Sequence, residues 1–230
     1  IHQCLQGVRD QSSVSRLILT GSGGPFLNRD INDFQNITPA EAIAHPIWNM
    51  GNKISVDSST MMNKCLEIIE ARWLFNNENI DVLVHPEGIV HSLVEFMDKS
   101  IIAQLSVPDM KVPIAYGLGF PEKISSGSSS IDFDEISNLS FRKPDLKKFP
   151  SIGLAKDCIS LGGSSFSILN AANEECVAAF LEGKIAYLDI FKIISKVLDK
   201  SDICAVKTLE DIFEADIQSR EKTLNLIKTN

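Results

Sequence analysis

The chain has 230 residues, 44% hydrophobic and 23% charged, with a formal net charge of −8. This is the composition of a folded globular chain, long enough to bury a core without disulfides or a structural metal, and it excludes disordered and collagenous classes. The acidic balance argues against nucleic acid or an anionic membrane surface as principal partner, and no apolar run approaches the roughly 18 residues of a membrane span.

Five cysteines, Cys4, Cys65, Cys158, Cys176 and Cys204, are widely spaced and form no C-x-x-C pair. They read as reduced thiols packed as small core residues rather than as a disulfide framework or a zinc site. In chain order, the apolar run Arg16 to Thr20 stops at Gly21-Ser22-Gly23-Gly24-Pro25, which predicts a buried strand entering a glycine loop. A helix is expected after Thr38, with Pro39 at its first position and Glu41 completing a capping box. From His45 to Gly51 periodicity is lost, yet Trp48 and Met50 lie there. Such a stretch is either a lid that closes over a ligand or a loop pinned by its indole.

Ile54 to Asp57 reads as a second strand. Ser58-Ser59-Thr60 then leads into an amphipathic helix from Met61, with Met62, Cys65, Leu66, Ile69, Trp73 and Leu74 on its core face. Asp81 to His85 predicts a strand. Val90 to Phe96 and Ser100 to Leu105 predict a hairpin turning at Met97-Asp98-Lys99. His85 and His91 do not have zinc-ligand spacing and are assigned to the sheet. A short helix is expected at Ile114 to Leu118, followed by a serine-rich connector. Four helices complete the pattern: Ile152 to Ile159, Ser167 to Leu181, Leu188 to Leu198, and Leu209 to Ile227 behind a Thr208 cap. The predicted fold is an α/β (α+β) catalytic domain with a mixed sheet, residues 1–122, a connector over 123–149, and an all-α four-helix domain over 150–230.

Chemistry concentrates around Ser58. Placed at a helix start, this serine, with Asn63 and Lys64 in the next turns and Glu67 one turn deeper, predicts a polar face opposite the apolar stripe. Its donors suit a phosphate and its carboxylate suits a cation. The competing reading is a solvated helix with an ordinary cap and a surface Lys-Glu pair. Gly21-Ser22-Gly23-Gly24 offers the makeup of a second anion site, although it is neither G-x-G-x-x-G nor a P-loop. Both sites would follow strands and converge at the carboxyl ends of a sheet.

Three segments carry a resemblance. These are Leu19-Thr20-Gly21-Ser22-Gly23-Gly24-Pro25-Phe26, the ordered run from His45-Pro46-x-Trp48 through Asp57-Ser58-x-Thr60-Met61-Met62-Asn63-Lys64 to Glu67, and Leu169-Asn170-Ala171-Ala172-Asn173-Glu174. Together they resemble the 1-deoxy-D-xylulose 5-phosphate reductoisomerase family over essentially the whole chain. The resemblance implies an NADPH- and divalent-metal-dependent enzyme that rearranges a sugar phosphate and reduces the resulting aldehyde, working as a homodimer in a bacterial cytoplasm or plastid stroma. It implies that Ser22, Ser58, Asn63 and Lys64 bind substrate, with His45 and Glu67 at the reacting end. Trp48 would belong to the lid, Gly51 would touch the nicotinamide with Met50 nearby, and Glu67 would be one of three carboxylate ligands of Mg2+ or Mn2+. The family's dinucleotide-binding domain and its other two metal ligands have no counterpart in this sequence, which also lacks an initiator Met. The chain by itself is therefore expected to be inactive. A non-catalytic sugar-phosphate-binding or dimerisation module, pairing through the edge of the Val90 to Leu105 hairpin, is the alternative from a different class.

Overall fold

The computed structural model describes residues 1–48 and 50–229. The chain divides into two compact units, each assembled from two segments: Ile1–Gly23 with Leu74–Pro144, and Gly24–Trp73 with Asp145–Asn230.

The first unit holds the mixed sheet that the sequence predicts, here of four strands. Its strands are β1 (Val14–Gly21), β2 (Ile80–Val84), β3 (Val90–Phe96) and β4 (Ile101–Leu105), in the order β2-β1-β3-β4. β1 runs parallel to β2 and antiparallel to β3, and β3 and β4 form the expected hairpin. Three consecutive residues of β1, Leu17, Ile18 and Leu19, are buried, which is the pattern of a central strand covered on both faces. At the hairpin turn Lys99 takes a left-handed conformation, φ 72°, and Asp98 accepts from the Ser100 N–H at 3.0 Å. A helix, α4 (Lys111–Gly119), follows. His85 is buried, its Nδ1 donates to the Ser140 carbonyl at 2.8 Å and its Nε2 accepts from the Ile89 N–H at 3.2 Å, while His91 lies in β3. Much of the expected connector is tied to this sheet, with Arg142 bridging Val84 and Ser140 bonded to Glu87.

The second unit is helical. Its first segment contributes α1 (Pro39–Ile43), α2 (Asn52–Thr60) and most of α3 (Met62–Phe75); its second contributes α5 (Ser151–Leu161), α6 (Ser165–Leu181), α7 (Tyr187–Asp199) and α8 (Leu209–Thr229). The Thr38/Glu41 capping box is present, and with Arg29 it holds the Glu41 carboxyl down at about 2. This partition differs from the consecutive one read from sequence because one aromatic core draws on both segments. Tyr187 meets Phe26, Phe34 and Phe180 edge-on at centroid distances of 5.4, 5.8 and 5.7 Å, and Phe34 meets Phe149 at 6.2 Å. The helical unit therefore cannot be cut off at the connector without losing Phe26 and Phe34 from this core.

Two expectations are corrected here. Residues Ile54 to Asp57 lie within α2, so they are helix and not strand. Five successive residues, Ser55 to Ser59, are buried. Two of the hydroxyls are satisfied locally, Ser59 Oγ donating to the Val56 carbonyl at 2.7 Å and Ser55 Oγ to that of Gly51 at 3.0 Å, which helps a serine-rich helix leave water. The core stripe of α3 also differs. Met62, Cys65 and Ile69 are buried as expected, but Trp73 and Leu74 are 69% and 75% exposed, and Trp73 packs edge-on against Phe166. Four of the five thiols are buried, and desolvation pushes Cys158 up to about 11 and Cys176 up to about 12; Cys204 is exposed.

Candidate functional site

Met61 organises the site. It separates α2 from α3 in a left-handed conformation, φ 57° and ψ 20°, and its N–H closes on the Ser58 carbonyl at 3.2 Å. A non-glycine residue in this region costs on the order of 1–2 kcal/mol, which the complete burial of the Met61 side chain offsets. Because of this break, Ser58 is in the last turn of α2, while Asn63, Lys64 and Glu67 open α3. Ser58 is therefore not the cap of the following helix. The side chain at that junction is Thr60, whose Oγ1 accepts from the Met62 N–H at 3.3 Å.

Lys64 departs most from the expected polar face. It is only 8% exposed, and its Nζ lies 2.6 Å from both carboxylate oxygens of Glu67. The helix thus directs an ammonium inward beside the break and meets it with a single half-exposed carboxylate. Asn63 is half-buried and Ser58 is buried. All four therefore fall within one junction of the second unit, whereas Ser22 follows β1 in the first.

His45, Trp48, Met50 and Gly51 precede α2 in the same unit. The His45 Nδ1 accepts N–H bonds from Trp48 at 2.9 Å and from Ile47 at 3.2 Å, which assigns the ring proton to Nε2. Burial lowers its pKa and favours the neutral ring. Trp48 and Met50 are half-buried. Gly51 caps α2, its carbonyl accepting from the Ser55 N–H at 3.1 Å. Its backbone is ordinary, φ −62°, and an added Cβ would meet nothing within 4 Å. Neither conformation nor packing within the chain calls for glycine there.

Glycine is required at Gly24. Its φ is +66°, and a Cβ at this position would lie 2.6 Å from the Ser58 carbonyl oxygen. The loop thus presses backbone to backbone on the residue expected to bind phosphate. Gly24→Ala is expected to lose about 1 kcal/mol from left-handed strain alone and to displace the end of α2. A thermal midpoint equal to that of the unaltered chain would show that the loop does not bear on Ser58.

Beneath Ser58, sequence reasoning missed two residues of the helical bundle. Asn173 of α6 donates from Nδ2 to Asp57 Oδ1 at 2.9 Å, and Tyr187 of α7 donates to the Ser59 carbonyl at 2.7 Å. Asn173 belongs to the segment Leu169-Asn170-Ala171-Ala172-Asn173-Glu174, but no spacing connects it with residue 57. Asp57 is fully buried with Lys53 Nζ 2.7 Å from its Oδ2, and desolvation raises its pKa against the pull of Lys53.

A divalent cation is not accommodated by these groups alone. Both Glu67 oxygens are engaged by Lys64, and among the described residues no three His, Cys, Asp or Glu side chains are grouped to hold a metal. Among the described residues no helix is long and apolar enough to cross a membrane.

Comparison with known proteins is specific. A profile described as "DXP reductoisomerase C-terminal domain" matches residues 105–222, and one described as "1-deoxy-D-xylulose 5-phosphate reductoisomerase C-terminal domain" matches residues 1–75. The chain is 50% identical over 225 residues to a 1-deoxy-D-xylulose 5-phosphate reductoisomerase of Cupriavidus pinatubonensis (strain JMP 134 / LMG 1197), covering 96% of this chain and 57% of the relative. It is 46% identical over 231 residues to that of Trichlorobacter lovleyi (strain ATCC BAA-1151 / DSM 17278 / SZ), covering 100% and 59%. Among solved structures, the reductoisomerase from Zymomonas mobilis in complex with NADPH superposes with a TM-score of 0.93 at 41% identity, covering 100% of this chain and 60% of that one. A DOX-P reductoisomerase in complex with NADPH, fosmidomycin and magnesium gives 0.86 at 43% identity, covering 94% and 56%. The chain thus spans less than two thirds of the length of the relatives it matches.

Proposed function

The chain belongs to the 1-deoxy-D-xylulose 5-phosphate reductoisomerase family, and we propose that it supplies the phosphate-binding part of such an enzyme. The full reaction would convert 1-deoxy-D-xylulose 5-phosphate to 2-C-methyl-D-erythritol 4-phosphate in non-mevalonate isoprenoid biosynthesis, in a bacterial cytoplasm or plastid stroma. The observation that carries this reading is the nearly buried Lys64 ammonium against Glu67 at the Met61 break. An ammonium held out of water is seldom kept for stability, since an apolar side chain of equal volume does as well or better. A site for a doubly charged phosphate gives the pair a purpose: the ammonium has a further donor to offer, and Ser58 and Asn63 lie at the same junction.

In this reading His45, held neutral with its proton on Nε2, donates a hydrogen bond to a substrate oxygen, and Trp48 closes over the bound molecule. NADPH, when bound, supplies hydride. The unexplained glycine at position 51 supports close approach of the cofactor there, with Met50 beside it. Glu67 is proposed as one ligand of Mg2+ or Mn2+, and the remaining ligands are not grouped with it among the described residues. The half-exposed Ile101 and Ile102 on edge strand β4 support pairing of two copies through this sheet.

Titration calorimetry with 1-deoxy-D-xylulose 5-phosphate and with unphosphorylated 1-deoxy-D-xylulose tests the reading. Saturable binding of the phosphate ester, and none of the free sugar, is expected. Equal binding of both, or of neither, would refute it.

A further inference from the structure

Three consecutive residues at the end of α2 are each held from a different element. Asp57 accepts the Asn173 amide of α6, the Ser58 carbonyl is pressed by the backbone of Gly24, and the Ser59 carbonyl accepts the Tyr187 hydroxyl of α7. Carbonyls in the last turn of a helix lack intrahelical partners. The Tyr187 hydroxyl, donated to the Ser59 carbonyl, therefore satisfies a group that the break at Met61 exposes. Tyr187 is itself fixed, since Phe26, Phe34 and Phe180 surround its ring edge-on. Asn173 is fully buried and, among the described residues, its Oδ1 has no partner, so its amide is committed to Asp57 at a cost to its own hydrogen bonding. A buried acceptor without a partner is unfavourable, and a purely structural contact would be served as well by an apolar pair.

We infer that Asn173 and Tyr187 are positioning residues for the phosphate site: they hold the end of α2, and through the Met61 break they set where Ser58, Asn63 and Lys64 stand. The inference rests on the phosphate-site reading above. Asn173 acts on the side chain of Asp57 and Tyr187 on the backbone of Ser59, the two residues flanking Ser58. Positioning matters because several donors must meet one anion at once, and a displacement of a fraction of an ångström lengthens every bond.

Tyr187→Phe removes one oxygen from a well-packed ring, and Asn173→Ala is a second route should that variant fold poorly. Ser219→Ala is the control: Ser219 is equally buried and donates to the Ile168 carbonyl of α6 at 3.0 Å, within the bundle. Affinity for 1-deoxy-D-xylulose 5-phosphate is measured by calorimetry at a temperature where circular dichroism shows each variant folded, with Lys64→Ala alongside. We expect Tyr187→Phe to bind about fivefold more weakly, while Ser219→Ala binds as the unaltered chain does despite a similar fall in thermal midpoint. Unchanged affinity in Tyr187→Phe, or equal weakening in Tyr187→Phe and Ser219→Ala, overturns the positioning role and leaves the phosphate reading standing. Absent binding by the unaltered chain, or affinity left unchanged by Lys64→Ala, removes the phosphate reading and this inference with it.

Discussion

Lys64→Ala is expected to weaken binding of 1-deoxy-D-xylulose 5-phosphate by roughly 10- to 100-fold, the range set by a hydrogen bond to a charged group at about 1.5–3 kcal/mol. The estimate falls in the upper part of that range because the ammonium is nearly buried, where its field is less screened by water than on a surface. Glu67→Gln should act in the opposite sense when no metal is added. Glu67 now holds both of its oxygens on Lys64 at 2.6 Å, so it competes with the phosphate for that ammonium and repels the incoming charge. Removing its charge should tighten metal-free binding severalfold. Calorimetry of the two variants side by side checks the pair of signs. If both substitutions weaken binding alike, Lys64 and Glu67 form only a structural pair.

The segments that sequence reasoning placed correctly are those whose pattern is local. β1 ends where the glycine loop starts, the β3–β4 turn falls at Asp98 and Lys99, and Thr38, Pro39 and Glu41 form the capping box they spell. α7 is amphipathic in the usual way, burying Ile190, Ile193, Ile194, Val197 and Leu198 on one face. α2 was misread because it has no polar face to reveal its period: Ser55, Val56, Asp57, Ser58 and Ser59 are all buried, and Ile-Ser-Val-Asp alternates like a strand. Lys64 was placed on the wrong face for the complementary reason, since apolar-in and polar-out patterning has no means of foreseeing an inward lysine. The cluster of Ser58, Asn63, Lys64 and Glu67 was legible as a cluster; its support from Asn173 and Tyr187 was not, because those contacts span 116 and 128 residues.

The same support makes stability depend on pH in a direction that can be worked out. Desolvation raises the Asp57 pKa in the folded chain above its ordinary value, with Lys53 the largest opposing influence. For a carboxyl shifted upward on folding, the contribution to stability is fully present below the unfolded pKa and is lost as pH rises through the folded one. Lys53→Met removes the opposing cation, 2.7 Å away, and leaves Asp57 with the Asn173 amide alone. Its folded pKa then rises further and the loss on ionisation grows. Breaking a fully buried pair costs roughly 3–5 kcal/mol, and the 42% exposure of the Lys53 side chain puts the expected loss near the lower end, about 3 kcal/mol at pH 8. On acidification Asp57 takes up a proton, the uncompensated charge disappears, and the gap between the two proteins should narrow toward zero near pH 4. Urea titrations at pH 4, 6 and 8 measure it. A gap that stays constant across this range would mean that Lys53 contributes packing rather than charge, and that Asp57 is already neutral when the chain folds.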